Sequence, residues 1–143
     1  MMKRRNIKLA VVEDDLFYNK SLLKYLKTIC DPKIYSKTDF SFQSFTNADD
    51  AIQQLENDLN YMLLDYHLFN PEAQQVLNGM DVLKEVREYC PECHVIVMSG
   101  ESNPAITAAL YQEGILEFVD KNMNTKNRIG SIIQKSLDHE LRA

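Results

Sequence analysis

The chain has 143 residues, 45% of them hydrophobic, with 16 basic against 21 acidic side chains and a net charge of −5. That length suits one domain over 1–143, with a core expected over about 7–141, and the acidic balance argues against nucleic-acid binding, which needs a basic surface to neutralise phosphates. The apolar segment after Lys3-Arg4-Arg5 runs only from Ile7 to Val12, too short for a signal segment or a membrane span, and three cysteines form no closed disulfide framework, so a cytoplasmic, reducing setting is expected.

Ile7 to Val12 is rich in β-branched residues and predicts a strand that ends abruptly in Glu13, Asp14 and Asp15. Leu22, Leu23, Leu26 and Ile29 recur at helical spacing and predict a helix over Leu16 to Ile29, with Asp15 placed to cap it. A polar stretch from Asp31 to Asp39 leads to a weaker strand around Phe42 to Phe45, and Asn47 can cap a helix carrying Ala51, Ile52 and Leu55. Tyr61 to Leu64 is the third strand and ends in Asp65.

Met80 to Tyr89 is a helix with Val82, Leu83 and Val86 on one face, stopped by Pro91. Cys90-Pro91-Glu92-Cys93 has the spacing of half a zinc site, but no second Cys or His pair stands at a plausible distance, and it reads as a loop. Val95 to Met98 is continuously apolar, as a strand buried on both faces should be. Pro104 suits the first turn of a helix running to Gln112, with Gly114 placed to end it. Ile115 to Val119 makes a fifth strand before Lys121, and Ile129, Ile132, Ile133 and Leu137 mark a last helix over Thr125 to Leu141. Strand and helix alternate five times, which implies right-handed crossovers and a parallel α/β sheet with helices on both faces.

Acids that follow a strand are often only helix caps. Here Glu13, Asp14, Asp65 and Lys121 all fall at the carboxyl ends of predicted strands, where an open α/β sheet gathers its functional groups. Two carboxylates about 4 Å apart repel by roughly 4 kcal/mol at an effective dielectric near 20, so three need a cation among them. A divalent metal plus Lys121 would balance their charge.

Val11-Val12-Glu13-Asp14-Asp15, Leu63-Leu64-Asp65, Asn78-Gly79-Met80-Asp81-Val82-Leu83, Val97-Met98-Ser99-Gly100 and Phe118-Val119-Asp120-Lys121 occur in that order, each at a predicted strand end or turn. Together they resemble the receiver domain of two-component response regulators over essentially the whole chain. The resemblance implies a flavodoxin-like, doubly wound five-stranded parallel sheet of order 2-1-3-4-5 with five helices. It implies Asp65 as phosphoacceptor, with Mg²⁺ (or Mn²⁺) held by Glu13, Asp14, Asp65 and the backbone carbonyl of His67. Lys121 and Ser99 would meet the phosphoryl group, and Ser99 and Phe118 would form a switch. His67 and Glu101 are candidates for setting the lifetime of the acyl phosphate.

The implied phosphodonor is a sensor histidine kinase, a histidine phosphotransfer protein or a small acyl phosphate. The output would be a downstream protein partner, with a second copy of the chain as a further candidate through the face of the fourth helix, fifth strand and fifth helix. The chain is expected to signal through protein contacts, either standing alone or as part of a longer regulator.

Three departures accompany the resemblance. Asp65 and Gly79 are 14 positions apart, so Phe69 to Leu77 reads as an insertion, and Cys30 to Ser41 is also long. Asn122 follows Lys121 where the family usually has a proline joined through a cis peptide, so the loop is expected to bear the strain of a non-proline cis bond, about 2.5 to 4 kcal/mol, or to take another path. Two competing readings stay open: a receiver-like interaction module that never turns over phosphate, and an aspartyl-nucleophile hydrolase. The hydrolases place a second Asp where this chain has His67.

Overall fold

Five strands and five helices alternate along the computed structural model, which describes residues 4–69, 77–101 and 103–141. They are β1 (Arg5–Val12), α1 (Leu16–Ile29), β2 (Thr38–Phe45), α2 (Ala48–Gln53), β3 (Tyr61–Asp65), α3 (Gly79–Tyr89), β4 (His94–Ser99), α4 (Pro104–Gln112), β5 (Glu117–Asp120) and α5 (Thr125–Leu141). All strands run parallel in the order β2-β1-β3-β4-β5, the flavodoxin-like order the resemblance implied.

Side-chain alternation divides the apolar residues of each strand between two cores. Ala10, Val12, Met62, Leu64, Val95 and Val97 pack on one face against Ala51 of α2, Val82, Leu83 and Val86 of α3, and Leu110 of α4. Leu9, Val11, Tyr61, Leu63, Ile96, Met98 and Val119 pack on the other against Leu22 and Leu26 of α1 and Ile129, Ile133 and Leu137 of α5. Each fully buried aliphatic side chain contributes about 1.5–3 kcal/mol, so the central strands hold the sheet rigid beneath its loops.

Several element ends differ from expectation, β1 beginning at Arg5 rather than Ile7 among them. β2 begins at Thr38 rather than near Phe42, because it is an edge strand only half covered by helices and pairs with β1 along its whole length, from Arg5↔Thr38 to Val12↔Phe45. β5 begins at Glu117; Ile115 is buried in the core but belongs to the turn that leaves α4 through Gly114, whose φ of +88° is open to glycine. α2 stops at Gln53, short of Leu55. Most of the expected insertion, residues 70–76, lies outside the described residues. Among the described residues no helix is long and apolar enough to cross a membrane.

Candidate functional site

Parallel register brings the strand-end residues together. Val12 pairs with Leu64, so the next residues, Glu13 and Asp65, emerge level with each other; Ser99 pairs with Asp120, which sets Lys121 one step beyond. Carboxylate oxygens of Glu13, Asp14 and Asp65 all lie within 4.8 Å of one another. Lys121 Nζ reaches Glu13 Oε1 at 2.6 Å and Asp65 Oδ1 at 3.2 Å. The four residues singled out from the sequence therefore meet in one crevice at the carboxyl end of the sheet.

The crevice is short of positive charge. Glu13 and Asp65 side chains are 1% and 4% exposed, and three carboxylates against one ammonium leave two negative charges uncompensated if all ionise. Burial, reinforced by the neighbouring acid Asp65, pushes Glu13 up to about 8, although Lys121 pulls the other way. Burial also raises Asp65 despite Glu13 and Lys121. For Asp14 burial is outweighed by hydrogen bonding with Glu13 and by the Phe69 N–H, which donates to its Oδ2 at 3.0 Å, so its pKa is lowered. Lys121 is raised, its partial burial overcome by the hydrogen bond to Glu13 and the charge of Asp65. An all-oxygen donor set of three acids that cannot all ionise comfortably fits a hard divalent cation such as Mg²⁺.

The loop that aims Lys121 takes the second of the two paths left open. No described peptide bond is cis. Lys121 N–H donates to the Ser99 carbonyl at 2.8 Å, the Asn122 N–H to Thr125 Oγ1 at 2.7 Å, and the Asn124 N–H to Asn122 Oδ1 at 2.7 Å. The asparagine that replaces the expected proline builds its own turn.

Ser99 is buried, with its hydroxyl donating to the Glu101 carbonyl at 2.8 Å and accepting the Glu101 N–H at 3.2 Å. It shares a cavity of about 150 Å³ with half-buried Phe118, whose side chain packs against the α3/α4 core. His67 is exposed and touches the site through its backbone, the N–H donating to Asp65 Oδ1 at 3.3 Å. Glu101 is exposed as well.

The capping box of α3, in which Asn78 accepts N–H groups of Met80 and Asp81 while Asp81 accepts that of Asn78, fixes Gly79 against the end of β3. A Cβ there would lie 2.7 Å from Tyr66 Cα and 2.9 Å from the Asp65 carbonyl oxygen, so the glycine of the Asn-Gly turn is a steric requirement of the site. The cysteine pair is buried in the core. The Cys90 thiol lies 3.1 and 3.3 Å from the Asn57 and Leu59 carbonyls, and burial holds the Cys93 thiol protonated, up to about 12.

Sequence reasoning missed two supporting residues. Asn19 is buried, and its Nδ2 donates to the carbonyls of Glu13 and Phe45 while its Oδ1 accepts the Ser44 hydroxyl, tying the ends of β1 and β2. Its only sequence signal was a polar residue beside the apolar stripe of α1. Tyr18 lies with its ring 5.1 Å from Lys121 Nζ, and an aromatic residue at that spacing is indistinguishable from packing.

The profile of the response regulator receiver domain family matches residues 9–134. Comparison with curated proteins gives no match. Among solved structures, the chain is similar to the signal receiver domain of a protein assigned as a Luxo repressor in Vibrio parahaemolyticus, at 20% identity and TM-score 0.72 over 94% of this chain and 92% of that one. A CheY-like receiver domain protein from Methanospirillum hungatei is similar at 17% identity and TM-score 0.72, over 96% and 98%. So is a Burkholderia pseudomallei response regulator with a phosphorylated aspartic acid and a calcium ion, at 16% identity and TM-score 0.68, over 94% of this chain and 74% of that one.

Proposed function

The chain belongs to the response regulator receiver domain family, and on that premise we propose that it accepts a phosphoryl group on Asp65 in a cytoplasmic phosphorelay and changes a protein-binding surface in response. The observation that carries the reading is the convergence of Glu13, Asp14 and Asp65 within 4.8 Å of one another, with Lys121 on Asp65 at 3.2 Å. A solved relative with a phosphorylated aspartic acid and a bound calcium ion is consistent with it.

Mg²⁺, or Mn²⁺ in its place, would be held by Glu13, Asp14, Asp65 and the backbone carbonyl of His67, and when bound it supplies charge neutralisation of the phosphoryl oxygens. Asp65 is the nucleophile: its carboxylate oxygen forms a bond to phosphorus as the bond to the donor, a phosphohistidine nitrogen or an acyl oxygen, breaks. Lys121 faces Asp65 and is ready to pair with a phosphoryl oxygen as charge moves onto the aspartyl group. Attack by water on the acyl phosphate returns aspartate and inorganic phosphate, with His67 and Glu101 beside that approach.

Ser99 turns its hydroxyl from the Glu101 carbonyl toward the new dianion, and Phe118 moves into the cavity the two residues share. Phe118 has no hydroxyl to satisfy on the way in. The face of α4, β5 and α5 repacks as a result, to be read by a downstream protein or a second copy of the chain. The donor in this reading is a sensor histidine kinase or a histidine phosphotransfer protein.

Incubation with acetyl phosphate and Mg²⁺ followed by intact-mass measurement tests the reading. The expected result is a gain of one phosphoryl group that disappears with EDTA and in Asp65→Asn. An unmodified wild-type chain would favour the interaction module instead.

A further inference from the structure

Lys121 carries a compact charge on a flexible stem, so something must steer it. On one side its ammonium meets Glu13 at 2.6 Å and Asp65 at 3.2 Å; on another its Nζ lies 5.1 Å from the centre of the Tyr18 ring. An ammonium near an aromatic face is attracted by the ring quadrupole, more strongly where water is partly excluded, and the Lys121 side chain is 25% exposed.

The ring is held in place by the same acidic run that ends β1. Asp15 caps α1 and accepts the Tyr18 N–H at 3.1 Å, which fixes the tyrosine in the first turn of the helix, four residues after Asp14. Its ring packs against the α1/α5 core. Its hydroxyl is buried and finds no hydrogen-bond partner among the described residues. Burying an unpaired hydroxyl is unfavourable. What Tyr18 supplies at this position is therefore the face of its ring, not its polar end.

We infer that Tyr18 is a positioning residue, whose ring holds the Lys121 ammonium against Asp65 and Glu13 so that it is preorganised for the phosphoryl oxygens. The inference rests on the phosphoacceptor reading of Asp65 and adds to it a residue that touches neither phosphate nor metal. A prealigned ammonium reorganises less as charge develops, and its loss should slow transfer without abolishing it.

The test uses the full chain with acetyl phosphate and Mg²⁺. Tyr18→Leu should slow phosphorylation about two- to thirty-fold, the range of a partly desolvated cation–π contact. Tyr18→Phe, which keeps the ring, should rescue the rate. In a Lys121→Met background, Tyr18→Leu should have no further effect, because the residue acts through the amine.

Proton NMR gives a readout independent of phosphorylation: ring-current shifts of the Lys121 side-chain protons should be present in the wild type and Tyr18→Phe and lost in Tyr18→Leu. An equal loss of rate in both backgrounds, or Lys121 resonances indifferent to Tyr18→Leu, overturns the inference. A wild-type chain that takes no phosphoryl group, yet shows those shifts, would instead count against the role of Asp65.

Discussion

The two ends of the sheet treat their polar groups in opposite ways. At the amino end the carboxylates stand in solvent, Glu56 and Asp58 meeting Lys8 while 42% and 59% exposed, and the buried Tyr61 hydroxyl shares a hydrogen bond of 2.7 Å with Ser136. Burial raises the Tyr61 phenol to about 12, so it remains a neutral hydroxyl. At the carboxyl end, three acids are gathered with one lysine, two of them almost fully buried. A fold that met only the needs of stability would not bury like charges together. The difference singles out the carboxyl end as the candidate site.

The comparison is broken most severely by removing the nucleophile. Asp65→Asn should lower phosphorylation by acetyl phosphate at least a hundred-fold by intact mass, yet raise the melting temperature of the metal-free protein, because one of the crowded charges is gone. Loss of a buried polar partner at the amino end should lower the melting temperature and leave phosphorylation unchanged.

The pH dependence sharpens the contrast. Folded Glu13 titrates near 8, raised by burial from an ordinary value of 4.5, so between those values the folded chain holds a proton that the unfolded chain has released. Metal-free stability should therefore be highest below about 4.5 as far as this group is concerned and fall by a few kcal/mol as pH rises through about 8. Asp14, whose pKa is lowered, acts in the opposite sense only at more acid pH. Thermal melts with EDTA should show the decline, and millimolar Mg²⁺ should remove most of it; a Glu13→Gln chain should keep only the part that Asp65 contributes.

Smaller effects follow for the supports. Gly79→Ala drives a Cβ against Tyr66 and the Asp65 carbonyl and should cost about 1–3 kcal/mol in denaturant melts, with slower phosphorylation because β3 must shift. Tyr61→Phe leaves Ser136 without its partner and should cost about 0.5–1.5 kcal/mol, with the phosphorylation rate unchanged.

Much of this contrast was legible in the chain. β3 and β4 are continuous apolar runs because both faces are covered, and the acids and lysine that end β1, β3 and β5 stand out against them. β2 was underestimated because an edge strand such as Thr38–Phe45 alternates polar and apolar residues and mixes Asp, Ser and Gln into its pattern. The start of β5 was misplaced because Ile115 is as buried in a turn as it would be in a strand.

Positions where one side chain serves a neighbour were the least legible. Asn19 and Tyr18 gain meaning only once α1 lies beside β1, and the path of Asn122 depended on Thr125 three residues later.

At the carboxyl end three acids face one ammonium, and a divalent cation would supply the missing charge. Carboxyl ¹³C NMR of Glu13 across pH, with and without Mg²⁺, measures that directly. The expected result is a midpoint near 8 without metal and a fall of more than one pH unit with saturating Mg²⁺. A midpoint near 4.5 that Mg²⁺ leaves unmoved would contradict it.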